Sequence, residues 1–320
     1  MRAIVQAGYG SADVLHLEEI GRPAAAGGEV LLRVHAAGLD RGTWHLMAGQ
    51  PYAIRLVSGL RAPKNPVPGL DVAGTVVAVG ADVTGFAVGE EVFGIGHGSF
   101  AEYARAGPAK LVRKPAGLTF AQAAVVAVSG LTALQGLRDA GRLRPGQHVL
   151  ITGASGGVGT FAVQIAKALG AEVTGVCSTA KTDLVTSIGA DHVLDYTRDD
   201  FADGSQRYDL ILDIAGNSPP ARLRRALTSA GTLVPAGRED GGRRTGMSRQ
   251  RGPRPAHRSP ASGSPCSSRG SAAPAWRPSP GSSKPASSPR SPARPARYAR
   301  HPAPCATSKP GTPGGSSFSR

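Results

Sequence analysis

Hydrophobic and polar positions alternate with different rhythms along this chain. Up to about residue 115 the apolar runs are short and interrupted by Gly and Pro. Val30–Ala36 alternates apolar and polar over part of its length. Asp71–Gly80 is an extended run with little charge, and Val88–Gly94 adds a turn and a short strand. Short strands joined by tight turns predict a compact β-barrel. Phe120–Ala140 then carries helical spacing, with Ser129-Gly130 as its expected weak point. From residue 145 the pattern switches repeatedly between strand and helix. Strands are predicted at 147–152, 172–177, 191–195, 208–214 and 231–236, and helices at 157–169, 180–188 and 219–229. Such alternation predicts an α/β unit built on a parallel, doubly wound sheet.

Charge changes the picture at residue 241. All 22 acidic residues lie before it, and of the 37 Lys and Arg the last 15 lie beyond it, so the net charge of +15 belongs entirely to 241–320. That segment also has no Leu, Ile or Val. It cannot bury enough apolar surface to offset its ordering entropy and is expected to be disordered. The basic isoelectric point therefore describes the tail and not the body, and it is poor evidence for a nucleic-acid enzyme. The body is long enough for two domains, 1–118 and 119–240. No apolar run approaches a membrane span and the N-terminus shows no signal peptide, so a cytoplasmic setting is expected. Cys177, Cys266 and Cys305 form neither a disulfide framework nor a metal cage.

Candidate chemistry concentrates at 148–159. His148–Thr152 reads as a buried strand, Gly153–Gly159 as a glycine-rich turn, and Phe161–Leu169 as the helix that follows. A helix N-terminus offers unpaired N–H groups to a pyrophosphate, and glycine lets the backbone come close. Ala154, Ser155, Gly156, Gly157, Val158 and Gly159 are the expected cofactor cradle; a tight turn without a ligand is the alternative. Ala154 stands where the usual fingerprint has its first glycine. The next strand ends Cys177-Ser178-Thr179-Ala180-Lys181, without the carboxylate that would hold the ribose hydroxyls of NADH. Ser178 and Lys181 suit a 2′-phosphate, which favours NADPH, although Lys181 also reads as a solvated helix residue.

The motifs "AAGLDRGTWHLMAG" (36–49), "NPVPGLDVAGTVVAVG" (65–80), "GEEVFGIGHGSFAEYA" (89–104), "VSGLTALQGL" (128–137), "GASGGVGTFAVQIAKALGAEV" (153–173) and "GADHVLDY" (189–196) occur in order. With them the chain resembles the medium-chain dehydrogenase/reductase superfamily, in its zinc-independent quinone oxidoreductase-like branch. The resemblance implies a GroES-like barrel, a Rossmann domain and an active site in the cleft between them. Zinc alcohol dehydrogenases place a Cys at the position of Asp40 and a His-Glu pair at Leu70-Asp71, so no zinc is expected. The resemblance puts Asp40, His45 and Thr132 near the nicotinamide, with His45 as a candidate proton donor. It sets Tyr196 beside the adenosine ribose, where a packing role is the alternative. Asp213 and Asn217 are expected in a loop at the ligand-binding edge of the sheet, or Asp213 and Asp209 simply cap turns.

The implied activity is NADPH-dependent reduction of a quinone or an α,β-unsaturated carbonyl. An alcohol dehydrogenase, an enoyl-thioester reductase or a cofactor-binding remnant without turnover are the alternatives. The tail has two competing explanations. It is a basic arm for an acidic partner, or it is the product of an out-of-frame reading that begins between 240 and 255. The second is favoured. Read one base over, the codons of Cys305–Arg320 admit Met-Arg-His-Leu-Glu-Ala-Gly-His-Ala-Arg-Gly-Lys-Leu-Val-Leu-Thr, which resembles the family's closing segment. In the family that segment supplies the last Rossmann strand, the dimer edge and a barrel strand. The resemblance therefore implies an incomplete Rossmann sheet, a doubtful homodimer, impaired activity and low stability.

Overall fold

The computed structural model describes residues 1–237. The expectations for 241–320, including Cys266 and Cys305, lie outside the described residues. The chain opens with β1 (Arg2–Val5), β2 (His16–Glu19), β3 (Val30–Ala37), α1 (Arg41–Ala48) and α2 (Arg55–Ser58). It continues through β4 (Asp71–Val79), β5 (Glu91–Ile95), β6 (Tyr103–Ala106) and β7 (Leu111–Arg113). Five of these strands form an antiparallel sheet in the order β6-β3-β4-β5-β7. The β1–β2 hairpin joins it through the Ala3–Ala101 bridge and the Ile4 N–H donated to Phe100 O. Alternating side chains of β3, β4 and β5 fill its core, where Val30, Leu32, Val72, Val76 and Val92 are buried with Ala104, Ala106 and Leu111. The strand expected within Val88–Gly94 is confined to Glu91–Ile95, because Ala87–Glu90 is spent on the turn.

The helix expected over 120–140 is three pieces: α3 (Phe120–Ala123), α4 (Ala127–Leu134) and a π-helical turn over Gln135–Ala140. The break falls at 124–126, not at Ser129-Gly130. Thr119 and Gln122 form a capping box that starts α3. Ala123 and Ala124 are then buried against Ala73 of β4, which fixes the chain to the antiparallel sheet before α4 begins. Gly130 runs inside α4 against Phe161 and Val126 without strain.

The second sheet is parallel and runs β10-β9-β8-β11-β12. Its elements are β8 (His148–Thr152), α5 (Gly157–Ala168), β9 (Glu172–Cys177), α6 (Thr182–Ser187), β10 (His192–Asp195), β11 (Tyr208–Asp213), α7 (Pro220–Arg225) and β12 (Leu227–Pro235). Both faces are covered, which explains the unbroken apolar runs of its central strands. Val149, Ile151, Leu210 and Leu212 pack with Ala133, Leu137, Ala162 and Val163 on one side. Leu150 and Ile211 pack with Phe201, Leu223 and Ala226 on the other. The helix expected over 219–229 ends at Arg225, and the strand expected from 231 starts at Leu227. Pairing with β11 overrides local propensity there: Tyr208 pairs with Leu227 and donates its N–H to Ala226 O. Leu150 is fully buried in the centre of this sheet. Leu150→Ala is expected to cost about 2–5 kcal/mol, read as a lower urea midpoint with an unchanged slope.

Candidate functional site

The glycine turn sits at the carboxyl end of β8, the central strand. Gly153 has φ +68°, a left-handed conformation, and Gly156 caps α5 with extended backbone. A Cβ built on Gly159 would overlap Gly153 O and lie 2.7 Å from Ala154 Cα. Helix and strand therefore approach through Gly159 at a separation no other residue permits. No side chain caps α5 and its first turn has no acidic residue. Its leading N–H groups face the edge where such sheets bind ligands, with the positive end of the helix dipole behind them. Ala154, in the place of the first fingerprint glycine, is fully buried. Room for its methyl comes from Gly175 of β9, whose own Cβ would lie 3.1 Å from that of Ala154 and 2.5 Å from Val185 Cγ1.

The neighbouring loops are tied to this turn. Thr152, the last residue of β8, donates its hydroxyl to Asp213 Oδ1 at 2.7 Å. The same hydroxyl oxygen accepts from the N–H groups of Ile214 and Ala215, and Gly216 N–H is donated to Asp213 Oδ1. Thr152 and Asp213 are 4% and 6% exposed, so this knot is sealed from water. Asp213 thus holds the loop that carries the exposed Asn217 at the sheet's edge. Asp209 accepts from His148 N–H at the other end of β11. At the tips of β9 and β10, Asp195 accepts the Thr179 hydroxyl and both the N–H and hydroxyl of Thr197. These donors hold the Asp195 carboxyl below the usual carboxylate range. Tyr196 N–H is donated to Cys177 O, which joins the two tips. Ser178 begins a short 3-10 turn that ends at Lys181, and Lys181 and Tyr196 are exposed beside it.

The β3–α1 corner holds the other candidates. Asp40 is the N-cap of α1: its carboxylate accepts Thr43 N–H at 2.9 Å and the Thr43 hydroxyl at 2.7 Å. His45 lies in the last turn of α1, half-buried, with Nδ1 2.7 Å from Gln50 O. A carbonyl only accepts, so Nδ1 carries the hydrogen and Nε2 is left for exchange. Thr132 in α4 donates its hydroxyl to Val128 O at 2.7 Å. Sequence reasoning missed Asp71 as a site residue. It is 1% exposed at the start of β4, and its Oδ1 accepts Val128 N–H at 2.9 Å. Burial pushes its carboxyl up to about 6, against the lowering effect of the Val128 N–H, and the nearby Asp40 adds to the rise. The signal was present as a lone acid inside an apolar strand. Among the described residues no three His, Cys, Asp or Glu side chains converge as a metal-binding group.

Residues 26–116 match the family described as "Alcohol dehydrogenase GroES-like domain", and residues 157–250 match "Zinc-binding dehydrogenase". A chloroplastic quinone oxidoreductase of Triphysaria versicolor is 34% identical over 250 residues, which cover 73% of this chain and 74% of that protein. The chain belongs to the quinone oxidoreductase-like family of medium-chain dehydrogenase/reductases. Within that family, a 2-methylene-furan-3-one reductase of Solanum lycopersicum is 35% identical over 69% of this chain and 58% of its own length. This chain thus spans less than two thirds of that relative. The Escherichia coli quinone oxidoreductase complexed with NADPH superposes with a TM-score of 0.65 at 26% identity, covering 73% of this chain and 72% of that one. The fold is accordingly the family's GroES-like sheet followed by a Rossmann-like parallel sheet. No helix among the described residues is long and apolar enough to cross a membrane.

Asp71 makes the stability of this family member depend on pH in a definite direction. Its folded pKa lies above its ordinary 3.8, so the folded state holds a proton that the unfolded state gives up. The contribution is full below about 4 and is lost as pH rises through about 6. Asp71→Asn keeps an acceptor for Val128 and has no charge to bury. The variant's advantage over the parent is expected to grow from near zero at pH 4 to at most about 3 kcal/mol above pH 7, measured by urea unfolding across that range.

Proposed function

We propose that the chain is an NADPH-dependent reductase of quinones or α,β-unsaturated carbonyls that works without zinc. The cradle at Ala154–Gly159 carries this reading, because its close approach and uncapped N–H groups are built for a pyrophosphate. The β9 tip supports the phosphorylated cofactor. It offers Ser178 and Lys181, while the neighbouring Asp195 carboxylate is buried and engaged by Thr179 and Thr197. Tyr196 and Asn217 lie on the same edge and would flank the adenosine and the nicotinamide half respectively. The names of relatives point the same way, since they include quinone oxidoreductases, a furanone reductase and an NADPH complex.

Zinc does not fit the donors present. Leu70 offers no ligand, both oxygens of Asp40 are engaged by Thr43, and Asp71 is buried against Val128. When bound, NADPH supplies the hydride from its nicotinamide. The chain's own work is to hold, orient and shield. The first turn of α5 fixes the pyrophosphate, and the Thr152–Asp213 knot sets the loop beside it. Asp40 fixes the direction of α1 through Thr43, and His45 presents Nε2 with Nδ1 anchored on Gln50 O. After taking a proton from solvent at Nε2, it would pass that proton to the reduced product and return to the neutral ring. Thr132 would border the nicotinamide from α4. The acceptor is a small carbonyl or quinone, and the setting is cytoplasmic.

Consumption of NADPH that depends on an added quinone or enone tests the activity; cofactor binding without turnover would leave only a binding protein. Lys181→Glu is expected to raise the Kd for NADPH about tenfold and to change that for NADH less than about threefold, read by fluorescence titration. His45→Ala is expected to lower kcat by up to about a hundredfold with little change in KM for NADPH. An unchanged kcat would assign the proton to solvent.

A further inference from the structure

The N-terminus of α4 lacks a cap of its own: Val126, the residue preceding it, is helical and makes no side-chain bond. The carboxylate that serves this end comes from 57 residues upstream, as Asp71 Oδ1 accepts Val128 N–H. The contact is tightly built. A Cβ on Gly38 would lie 2.7 Å from Asp71 Cβ and 2.5 Å from Ala124 O, so the β3–α1 corner, β4 and the α3–α4 break meet at van der Waals limits. One residue past Val128, Ser129 is buried, and its Oγ lies 3.2 Å from where a Cβ of Gly157 would stand. Gly157 is the first residue of α5, within the cradle. Gly130 in turn faces Phe161 of α5.

From this chain of contacts we infer that Asp71 is a positioning residue for the cofactor cradle, capping α4 from the antiparallel sheet and so holding Ser129 against the first turn of α5. The inference rests on the cradle being the NADPH site. It gives a role to a buried acid that neither hydride transfer nor proton delivery uses. A buried carboxylate is tolerated at this place because a helix N-terminus offers it an N–H and the favourable end of a dipole. Segment 119–137 has no charged residue, so from α3 and α4 nothing competes for that carboxylate.

The test uses the full 320-residue chain with Asp71→Leu, which removes the acceptor, and Asp71→Asn, which keeps it. Val92→Ala, in the core of the antiparallel sheet, controls for loss of stability alone. The Leu variant is expected to raise the Kd for NADPH about fivefold or more; the Asn variant is expected to restore parental affinity and the Val92 variant to leave it unchanged. Equal affinity in the Leu variant and parent, or equal loss in the Leu and Val92 variants, would overturn the inference. Amide hydrogen exchange without cofactor separates this from failure of the functional reading. Faster exchange at 127–132 and 157–160 in the Leu variant, and not in the Asn variant, supports the positioning role even if the parent binds no NADPH. Unchanged exchange there overturns it.

Discussion

The separation of β8 and α5 at Gly153–Gly159 is the constraint on which the rest of this structure depends. A carbonyl oxygen faces a hydrogen where any other residue would put a carbon. That closeness lets the helix start at the strand's own tip, so its first N–H groups open onto the sheet's carboxyl edge. Each neighbouring device respects that geometry. Thr152 turns its hydroxyl sideways to Asp213 and leaves the turn clear, and Ser129 meets α5 at a residue without a side chain. A bulkier residue at any of these places would displace the helix rather than simply crowd it.

Electrostatics in the described region follow a common rule: a carboxylate is buried only where backbone N–H groups or hydroxyls receive it. Asp213 and Asp195 each meet several donors and gather loops around themselves. Asp71 meets a single N–H, and its burial, with a smaller push from nearby Asp40, raises its proton affinity against that bond. The first two are knots of several hydrogen bonds. The third is a joint whose strength changes with its protonation.

Much of the fold was legible because the two sheets write different patterns. The buried parallel strands read as unbroken apolar runs, and β3 reads as alternation where one side meets solvent. What escaped was decided by distant partners. Nothing local in 120–140 shows that Ala123 and Ala124 are held by Ala73, and so the break was expected at Ser129-Gly130, the weakest local point. Likewise the helix was expected to run on to 229, and it is the pairing of Leu227 with Tyr208 of β11 that turns the chain into a strand there. At the site, the glycine turn announced itself by spacing. Asp71 and Thr152 did not, since a lone acid or threonine in an apolar run shows its purpose only when its partner, 57 or 61 residues away, comes into view.

Ala154, Gly175 and Val185 share one space between the turn, β9 and α6. The methyl at 154 occupies space that β9 leaves open at 175, and Val185 closes the same space from α6. The three positions are therefore coupled. A side chain at 175 would press on Val185 first and on the Ala154 methyl second, so changes at these positions will not add as independent ones do. The departure from the usual fingerprint is thus matched by a space in the neighbouring strand, not in the turn itself.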